Sequence, residues 1–266
     1  MSAVTPARAE PPSRRQPTAG LIIIGNEVLS AKVADANTPL LIQRVNEAGL
    51  RVGEVAIVPD EIDRIAEVVR GFAGRFDLVM TTGGVGPTHD DCTWKAVAQA
   101  FGLPMELHGG LIARIEAKVG HALSAEQQRL AWLPAGTQID ASDGRWPLLH
   151  YGNVHVLPGV PSMVASRIGQ ILERFRQARP HLATVYFSAD EWSHVAQIDA
   201  VVAQFADLDI GSYPIFGDAD HRLQVTLEGF DRERVQAAAE QLIQALGRQR
   251  LVRLVWRDDP HAEVTT

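Results

Sequence analysis

The chain has 266 residues, of which 46% are hydrophobic and 21% charged, so it is long enough to bury a sizeable core and has the composition of a soluble globular protein. Its net charge of −7 and the lack of a basic stripe argue against nucleic-acid binding. No apolar run is long enough to span a membrane, and none near the N-terminus is typical of a secretory signal. The single cysteine, Cys92, excludes a disulfide framework, and we expect a cytoplasmic protein.

The first two thirds of the chain alternate between apolar runs and amphipathic segments, after a tail at residues 1–17 that we predict to be disordered. Residues 102–134 are predicted to be mainly helical, and residues 138–149 to form an irregular hairpin. Strands and helices joined by short links predict an α/β fold with a mostly parallel sheet covered by helices. The other predicted elements are strand 21–24, helix 35–48, strand 52–58, helix 62–72, strand 78–80, helix 93–101, strand 154–157 and helix 163–178.

A change of composition at Arg179-Pro180 predicts a domain boundary, with a main domain at 18–178 and a smaller one at 179–256. The order of elements in the smaller domain is strand, helix, strand, strand, helix, strand. This order is the split βαβ pattern and predicts a small α+β subdomain. Residues 257–266 are predicted to be a polar tail.

The stretch FDLVMTTGGVGPTHDDCT, from Phe76 to Thr93, places a glycine cluster and two acids between a buried strand and a helix. Glycines allow positive φ angles and close approach of a ligand, and successive N–H groups form an anion-binding nest. The following helix adds the positive end of its dipole. Asp90 and Asp91 fit this position either as helix caps or as carriers of a divalent metal beside a phosphate. Turns between strand, glycine pair and helix are also common without any ligand, so the pattern alone favours phosphate binding only modestly.

Polar residues follow three predicted strands, at Gly25 to Glu27, at Asp60 and at Gly83 to Asp91. Because the carboxyl ends of parallel strands share one rim of a sheet, we expect Asp60 to converge on Asp90 and Asp91. A second turn between strand and helix, at 158–162, offers more backbone N–H groups, with Ser162 as a cap or a phosphate ligand. Cys92 is interpreted as a semi-buried residue at a helix start, where neighbouring aspartates raise the pKa of its thiol.

Five strings in this order resemble the molybdopterin-binding (MogA-like) fold family, and more closely the N-terminal domain of CinA proteins and the molybdopterin-binding-like domain of FAD synthase. The central string is the most specific of the five. The strings are GNEVL at 25–29, DANT at 35–38, TTGGVGPTHDD at 81–91, LPGVP at 157–161 and GSYP at 211–214.

The resemblance implies a three-layer αβα domain, a homo-oligomer and a pocket for a small phosphorylated nucleotide or a pterin such as molybdopterin. In the CinA-like branch it implies hydrolysis of the pyrophosphate in ADP-ribose or FAD-like dinucleotides with Mg²⁺, Mn²⁺ or Co²⁺. The implied catalytic residues are Asp60, Asp90 and Asp91, of which Asp90 and Asp91 hold the metal. The implied ligand-binding residues are Gly25, Glu27, Asp35, Asn37, Thr82, Gly83, Gly84, Gly86, Pro87, Thr88, Gly159, Pro161 and Ser162.

The chain departs from the family pattern at two places near the expected pocket. Residues 141–147 replace the usual hairpin, and Met163 stands where an acid usually follows PGxPS. The deamidase domain that usually follows in CinA proteins has no counterpart in this sequence, so that activity is not expected. Two other functions stay open: a transferase that adenylylates molybdopterin, and a non-catalytic module that binds a pterin or a nucleotide.

Overall fold

The computed structural model describes residues 16–88, 90–140, 147–175, 178–217 and 220–257. The chain divides into two compact units, at residues 1–177 and 178–266. Within the described residues, no helix has both the length and the apolar composition needed to cross a membrane.

The first unit is built on a six-stranded sheet with the order β2-β1-β3-β8-β7-β6. Strands β2, β1, β3 and β8 run parallel, and β7 and β6 continue the sheet as antiparallel strands. The strands are β1 (Thr18–Ile24), β2 (Arg51–Val58), β3 (Leu78–Thr82), β6 (Gln138–Asp140), β7 (Leu148–Tyr151) and β8 (Val154–Leu157). The predicted α/β fold with a mainly parallel sheet is confirmed.

Helices cover both faces of this sheet, because the central strands are apolar on both sides. Along β1, for example, Ile22 and Ile24 belong to one buried cluster, while Leu21 and Ile23 belong to another on the opposite face. Each cluster also includes residues of the helices on its own side. The helices of this unit are α1 (Asn26–Leu29), α2 (Asn37–Glu47), α3 (Ile62–Ala73), α4 (Thr93–Phe101), α5 (Gly109–Val119) and α6 (Pro161–Glu173).

Two predicted elements of the first unit differ in the structure, and one helix was not predicted. Residues 102–134 are not mainly helical, because β4 (Met105–Leu107) and β5 (Trp132–Pro134) pair as a small antiparallel sheet. Strands of three residues are too short to show a period in the sequence, which explains the error. The last helix begins at Pro161 rather than Met163, since proline suits the first helical position. The four-residue helix α1 was not predicted.

The second unit has the order of elements that the sequence predicts. Its four-stranded antiparallel sheet is arranged β10-β11-β9-β12, with helices α7 and α8 packed on it around a separate buried cluster. Strand β10, which carries the GSYP string, is an edge strand, and the proline at its end fits that position. The elements are β9 (His181–Phe187), α7 (Val195–Gln204), β10 (Asp209–Pro214), β11 (Leu223–Gly229), α8 (Arg232–Leu246) and β12 (Leu251–Trp256).

Candidate functional site

The glycine loop, residues 83–88, leaves the carboxyl end of β3 in a conformation that only glycine accommodates. Gly83 has a φ of 103° and Gly84 a φ of 61°. A Cβ atom on Gly83 would lie 2.0 Å from the carbonyl oxygen of Ile24, which is backbone and cannot move aside. The Thr93 hydroxyl donates to the Gly83 carbonyl at 2.8 Å, and the Thr93 N–H donates to the Gly84 carbonyl at 3.0 Å. The loop is therefore fixed against β1 on one side and the start of α4 on the other.

Asp91 closes this loop from within. Its Oδ1 accepts the Gly86 N–H at 2.6 Å, and its Oδ2 accepts the Thr88 N–H at 2.8 Å together with the Thr88 hydroxyl. A Cβ on Gly86 would lie 2.7 Å from this carboxylate, so a glycine is needed there as well. Asp91 thus caps the loop rather than helix α4, whose first position is preceded by Cys92 without a side-chain cap. The Gly86 and Thr88 N–H groups, in the loop predicted to bind phosphate, therefore already donate to the Asp91 carboxylate.

Asp60 stands at the end of β2, beside the glycine loop. Its Oδ2 accepts the Asn26 N–H at 2.8 Å, and its Oδ1 lies 3.4 Å from the position of a Cβ on Gly84. Partial burial raises the pKa of the Asp60 carboxyl, the Asn26 N–H opposes this, and three neighbouring carboxylates raise it further. Those neighbours are Glu27, Asp90 and Asp91. The structure therefore places four acids of three strand ends in one electrostatic neighbourhood.

The Glu27 side chain folds back over Gly25 at the end of β1. A Cβ on Gly25 would lie 2.6 Å from a Glu27 carboxylate oxygen, so the glycine makes room for that acid. Cys92 is buried beneath the same acids. Burial raises the pKa of its thiol, and Asp60 adds to the shift, in the direction predicted from the neighbouring aspartates, although Cys92 is buried rather than semi-buried.

Asn37, at the start of α2, joins the two loops that follow β3 and β8. Its Nδ2 donates to Thr82 Oγ1 at 3.0 Å and to the Gly159 carbonyl at 2.7 Å. Thr82 in turn donates to the Pro158 carbonyl at 2.9 Å. A Cβ on Gly159 would lie 3.4 Å from the Gly83 Cα, so the two loops run close together. The Asn37 and Thr82 side chains are buried and hold the loops in place.

The remaining predicted site residues lie at the edge of this arrangement. Asp35 accepts the N–H groups of Asn37 and Thr38 at 2.9 and 3.0 Å and so organises the start of α2. Ser162 is not a cap, because it is the second residue of α6, where the helix has no side-chain cap. His89 lies outside the described residues. The predicted site residues that are exposed are Glu27, Pro87, Thr88, Asp90, Gly159, Pro161 and Ser162.

Two cavities adjoin the glycine loop, and they share Val85 and Trp94 as lining residues. The first, of about 390 Å³, lies between α6, α5 and the ends of β7 and β8, and it includes the buried Arg167. The second, of about 550 Å³, is lined by Gly84 to Gly86, Thr88, Asp91, Trp94, Lys95, Met105, Arg129 and Trp132.

Sequence reasoning missed the basic and aromatic residues of these cavities. Lys95 follows the acidic string and was interpreted only as part of a helix. Arg129 and Trp132 belong to the region predicted to be helical, and the β4–β5 pair is what brings them to the loop. No local signal in the sequence marks them, since they contact the loop through tertiary structure.

Among the residues that the structure describes, no three His, Cys, Asp or Glu side chains form a group ready to hold a metal ion. The acids near Asp60 instead resemble a partial set of oxygen ligands. Mg²⁺ is commonly held by one or two carboxylates, with waters and substrate phosphates as its other ligands. Burial is the main cause of the raised pKa of Asp60, and repulsion from the neighbouring acids adds to it; a divalent cation would relieve that repulsion. The residues present therefore fit a hard divalent cation of this kind.

A parallel sheet with a glycine loop and acids at its carboxyl rim defines a ligand-binding α/β domain. Residues 20–177 match the family described as "Probable molybdopterin binding domain", and residues 179–255 match "FAD synthase, middle domain". The chain belongs to the molybdopterin-binding domain family, and its resemblance to FAD synthase is confirmed by the second match.

Individual relatives agree with these matches. A protein of Archaeoglobus fulgidus is 32% identical over 234 residues, covering 86% of this chain and 98% of that one. The "Probable FAD synthase" of Caenorhabditis elegans is 29% identical and covers 86% of this chain, which spans about half (50%) of that relative's length. A CinA structure from Thermoplasma acidophilum matches with a TM-score of 0.55 and 27% identity, over 60% of this chain and 98% of that one.

Proposed function

We propose that this protein is a metal-dependent pyrophosphatase that hydrolyses dinucleotides such as ADP-ribose or FAD. The observation that carries this proposal is the grouping of Asp60 with Glu27, Asp90 and Asp91 beside a glycine loop, with the pKa of Asp60 raised by burial and by these neighbours. Acids and a backbone anion site together suit a substrate in which phosphate is bound beside a cation. The match to the middle domain of FAD synthase and the FAD synthase relative support a nucleotide-type ligand.

Asp60 and Asp90 would hold a Mg²⁺, Mn²⁺ or Co²⁺ ion, with waters and substrate phosphate as its other ligands. When bound, such an ion neutralises phosphate charge and lowers the pKa of a water molecule. The chain itself orients the pyrophosphate. Among the described residues, the N–H groups of Gly84 and Val85 donate no hydrogen bond, so they are available to phosphoryl oxygens. Fixed donors of this type stabilise charge that develops on those oxygens without reorganising.

The test is release of nucleotide from ADP-ribose and from FAD with each metal or with chelator. Asp60→Asn should lower turnover about 100-fold, because the amide keeps the bond from Asn26 but loses the charge. Asp91→Ala should abolish turnover as well, but it also removes three hydrogen bonds of the loop, so it tests the mechanism less cleanly.

Asp63→Asn is the matched control. Asp63 is an exposed acid three residues further along the chain, and its carboxylate accepts from Gln99 rather than facing the loop. Its turnover should stay within about twofold of wild type. Equal activity in Asp60→Asn and wild type would contradict the proposal, and so would hydrolysis that persists in chelator.

A non-catalytic binding role is the second candidate, and one observation favours it. Asp91, predicted to hold metal, uses both carboxylate oxygens within the loop. Nucleotide binding without turnover, with every metal tested, would favour this role. Transfer of AMP from ATP to molybdopterin would instead identify an adenylyltransferase, a role in keeping with the molybdopterin-binding family.

A further inference from the structure

The second cavity, which we call the Trp132 cavity, combines the glycine loop with two kinds of surface that the proposed function does not use. Its floor is the glycine loop, from Gly84 to Thr88. It is also lined by the cations Lys95 and Arg129 and by the side chains of Trp94, Met105 and Trp132. Its volume of about 550 Å³ lies in the range of small-molecule sites.

The two cations of this cavity are Lys95 and Arg129. Elsewhere among the described residues, arginines such as Arg44, Arg64 and Arg174 form salt bridges at 2.6 to 3.2 Å. Within the described part of the chain, neither Lys95 nor Arg129 forms a salt bridge. The acids Glu126, near Arg129, and Asp91, at the loop, are the negative groups beside them. Two cations without ion pairs, in a protein of net charge −7, provide a local binding site for an anion.

Trp132 supplies an aromatic surface in the same cavity. Its side chain is 46% exposed, although β5, to which it belongs, is paired with β4 through Leu107. Trp94 lines the same cavity but is 9% exposed, so it serves as a packed wall. An exposed indole held on a paired strand is a platform on which a planar ring can stack.

We propose that the Trp132 cavity binds a nucleoside monophosphate group, which is one half of the dinucleotide, with its base on Trp132. Its phosphate would lie between the N–H groups of Gly84 and Val85 and the side chains of Lys95 and Arg129. The acids near Asp60 include Asp91, which also lines the cavity, so a cation held at Asp60 would lie beside this phosphate. This assignment rests on the proposed function for the identity of the whole substrate.

Binding is measured by calorimetry with chelator present, so that it does not depend on hydrolysis. The probes are AMP, ribose 5-phosphate and adenosine, which separate the base from the phosphate. AMP should bind the wild-type protein more tightly than either fragment. AMP that binds no more tightly than ribose 5-phosphate would overturn the role of Trp132.

Two substitutions test the two halves of the cavity. Trp132→Ala should weaken AMP about tenfold or more and leave ribose 5-phosphate unchanged, since it removes only the stacking surface. A purely structural defect would weaken both probes. Arg129→Gln should weaken AMP and ribose 5-phosphate about tenfold but not adenosine, and Arg129→Lys should restore most of the affinity because it restores the charge.

Arg64→Gln is the control, because Arg64 is a similarly exposed cation that pairs with Glu67 and does not line the cavity. It should bind all three probes like wild type. If AMP binding responds as expected but no dinucleotide is hydrolysed, the cavity assignment stands and the pyrophosphatase proposal fails. If dinucleotides are hydrolysed but the affinity for AMP is unchanged in Trp132→Ala and Arg129→Gln, the cavity assignment fails and the pyrophosphatase proposal stands.

Discussion

Single glycines determine the shape of the candidate site. At Gly83 two independent constraints act together, a φ of 103° and the Ile24 carbonyl oxygen, 2.0 Å from any Cβ. A left-handed conformation costs an ordinary residue about 1–2 kcal/mol, and a contact with backbone cannot be relieved by a rotamer change. The loop that carries Gly84 and Gly86 depends on this position, so a side chain there should displace it.

Gly83→Ala should therefore lower the free energy of unfolding by about 3 kcal/mol or more. It should also weaken AMP binding, because the loop moves away from Ile24. The free energy is measured by urea denaturation, and binding by the same calorimetry as above. Unchanged stability would contradict the position of this loop.

Gly71→Ala is the matched control. Gly71 lies within α3, and a Cβ there meets nothing within 4 Å. Alanine should stabilise the helix by ~0.5–1 kcal/mol, because glycine is a poor helix former. The same substitution should thus have opposite effects at the two positions.

At the scale of elements, the adjacent strands β7 and β8 bury a pair of histidines. His150 and His155 are directly opposite, with ring centroids 4.5 Å apart and an angle of 20° between the rings. Burial lowers the pKa of His155 to about 3, and the nearby His150 and Arg174 contribute to this shift. Arg174 is itself paired with Asp140, at 2.6 Å. His155 therefore stays neutral in the folded protein at neutral pH.

This burial makes stability depend on pH. Between about pH 3 and pH 6.5, the unfolded chain binds a proton at His155 that the folded protein does not bind. The free energy of unfolding should therefore rise with pH across this window, by up to about 1.4 kcal/mol per pH unit from this residue. His155→Phe, which keeps a ring beside His150, should remove this component of the slope. Urea denaturation at several pH values measures it.

His121→Phe is the control for this experiment, since His121 is exposed on the same unit. Its stability should follow the same pH profile as wild type. A His155→Phe profile as steep as that of wild type would mean that His155 is not buried as a neutral ring.

The contrast between predicted and observed elements has a physical cause. Elements with a clear period were predicted almost to the residue, as for α4 and β8, because burial of one face leaves a pattern in the sequence. The β4–β5 pair left no such pattern, because its strands are only three residues long. Arg129 and Trp132 were therefore not recognised as residues of the Trp132 cavity. The contact of Asn37 with Gly159 spans 122 residues, and no local pattern encodes it.

The site shows the same division between local and tertiary information. The glycines, Asp60 and the paired aspartates were recognisable because their order follows the strand ends of a parallel sheet. The sequence did not reveal that Asp91 binds back onto Gly86 and Thr88, since such a bond depends on the loop conformation. The chemistry of a carboxylate is visible in the sequence, but its hydrogen-bond partners are not.

At the scale of the whole molecule, each unit has buried clusters of its own. The cluster of the second unit draws all its residues from 183–256, including the large side chains Phe187, Phe205 and Trp256. The first unit has two other clusters, one on each face of its sheet. A unit whose core is complete within its own sequence carries the apolar burial needed to fold independently.

A fragment of residues 178–257 should therefore fold alone and unfold in a single cooperative transition. With about 80 residues, it should be only marginally stable, by a few kcal/mol, since small domains bury a smaller share of their surface. Circular dichroism during urea denaturation measures the transition. A shorter fragment that ends at residue 250 loses β12 and, with it, the buried side chains of Leu254 and Trp256, so it should not unfold cooperatively. Cooperative unfolding of the shorter fragment, or its absence from the longer one, would show that this core is not the source of the unit's stability.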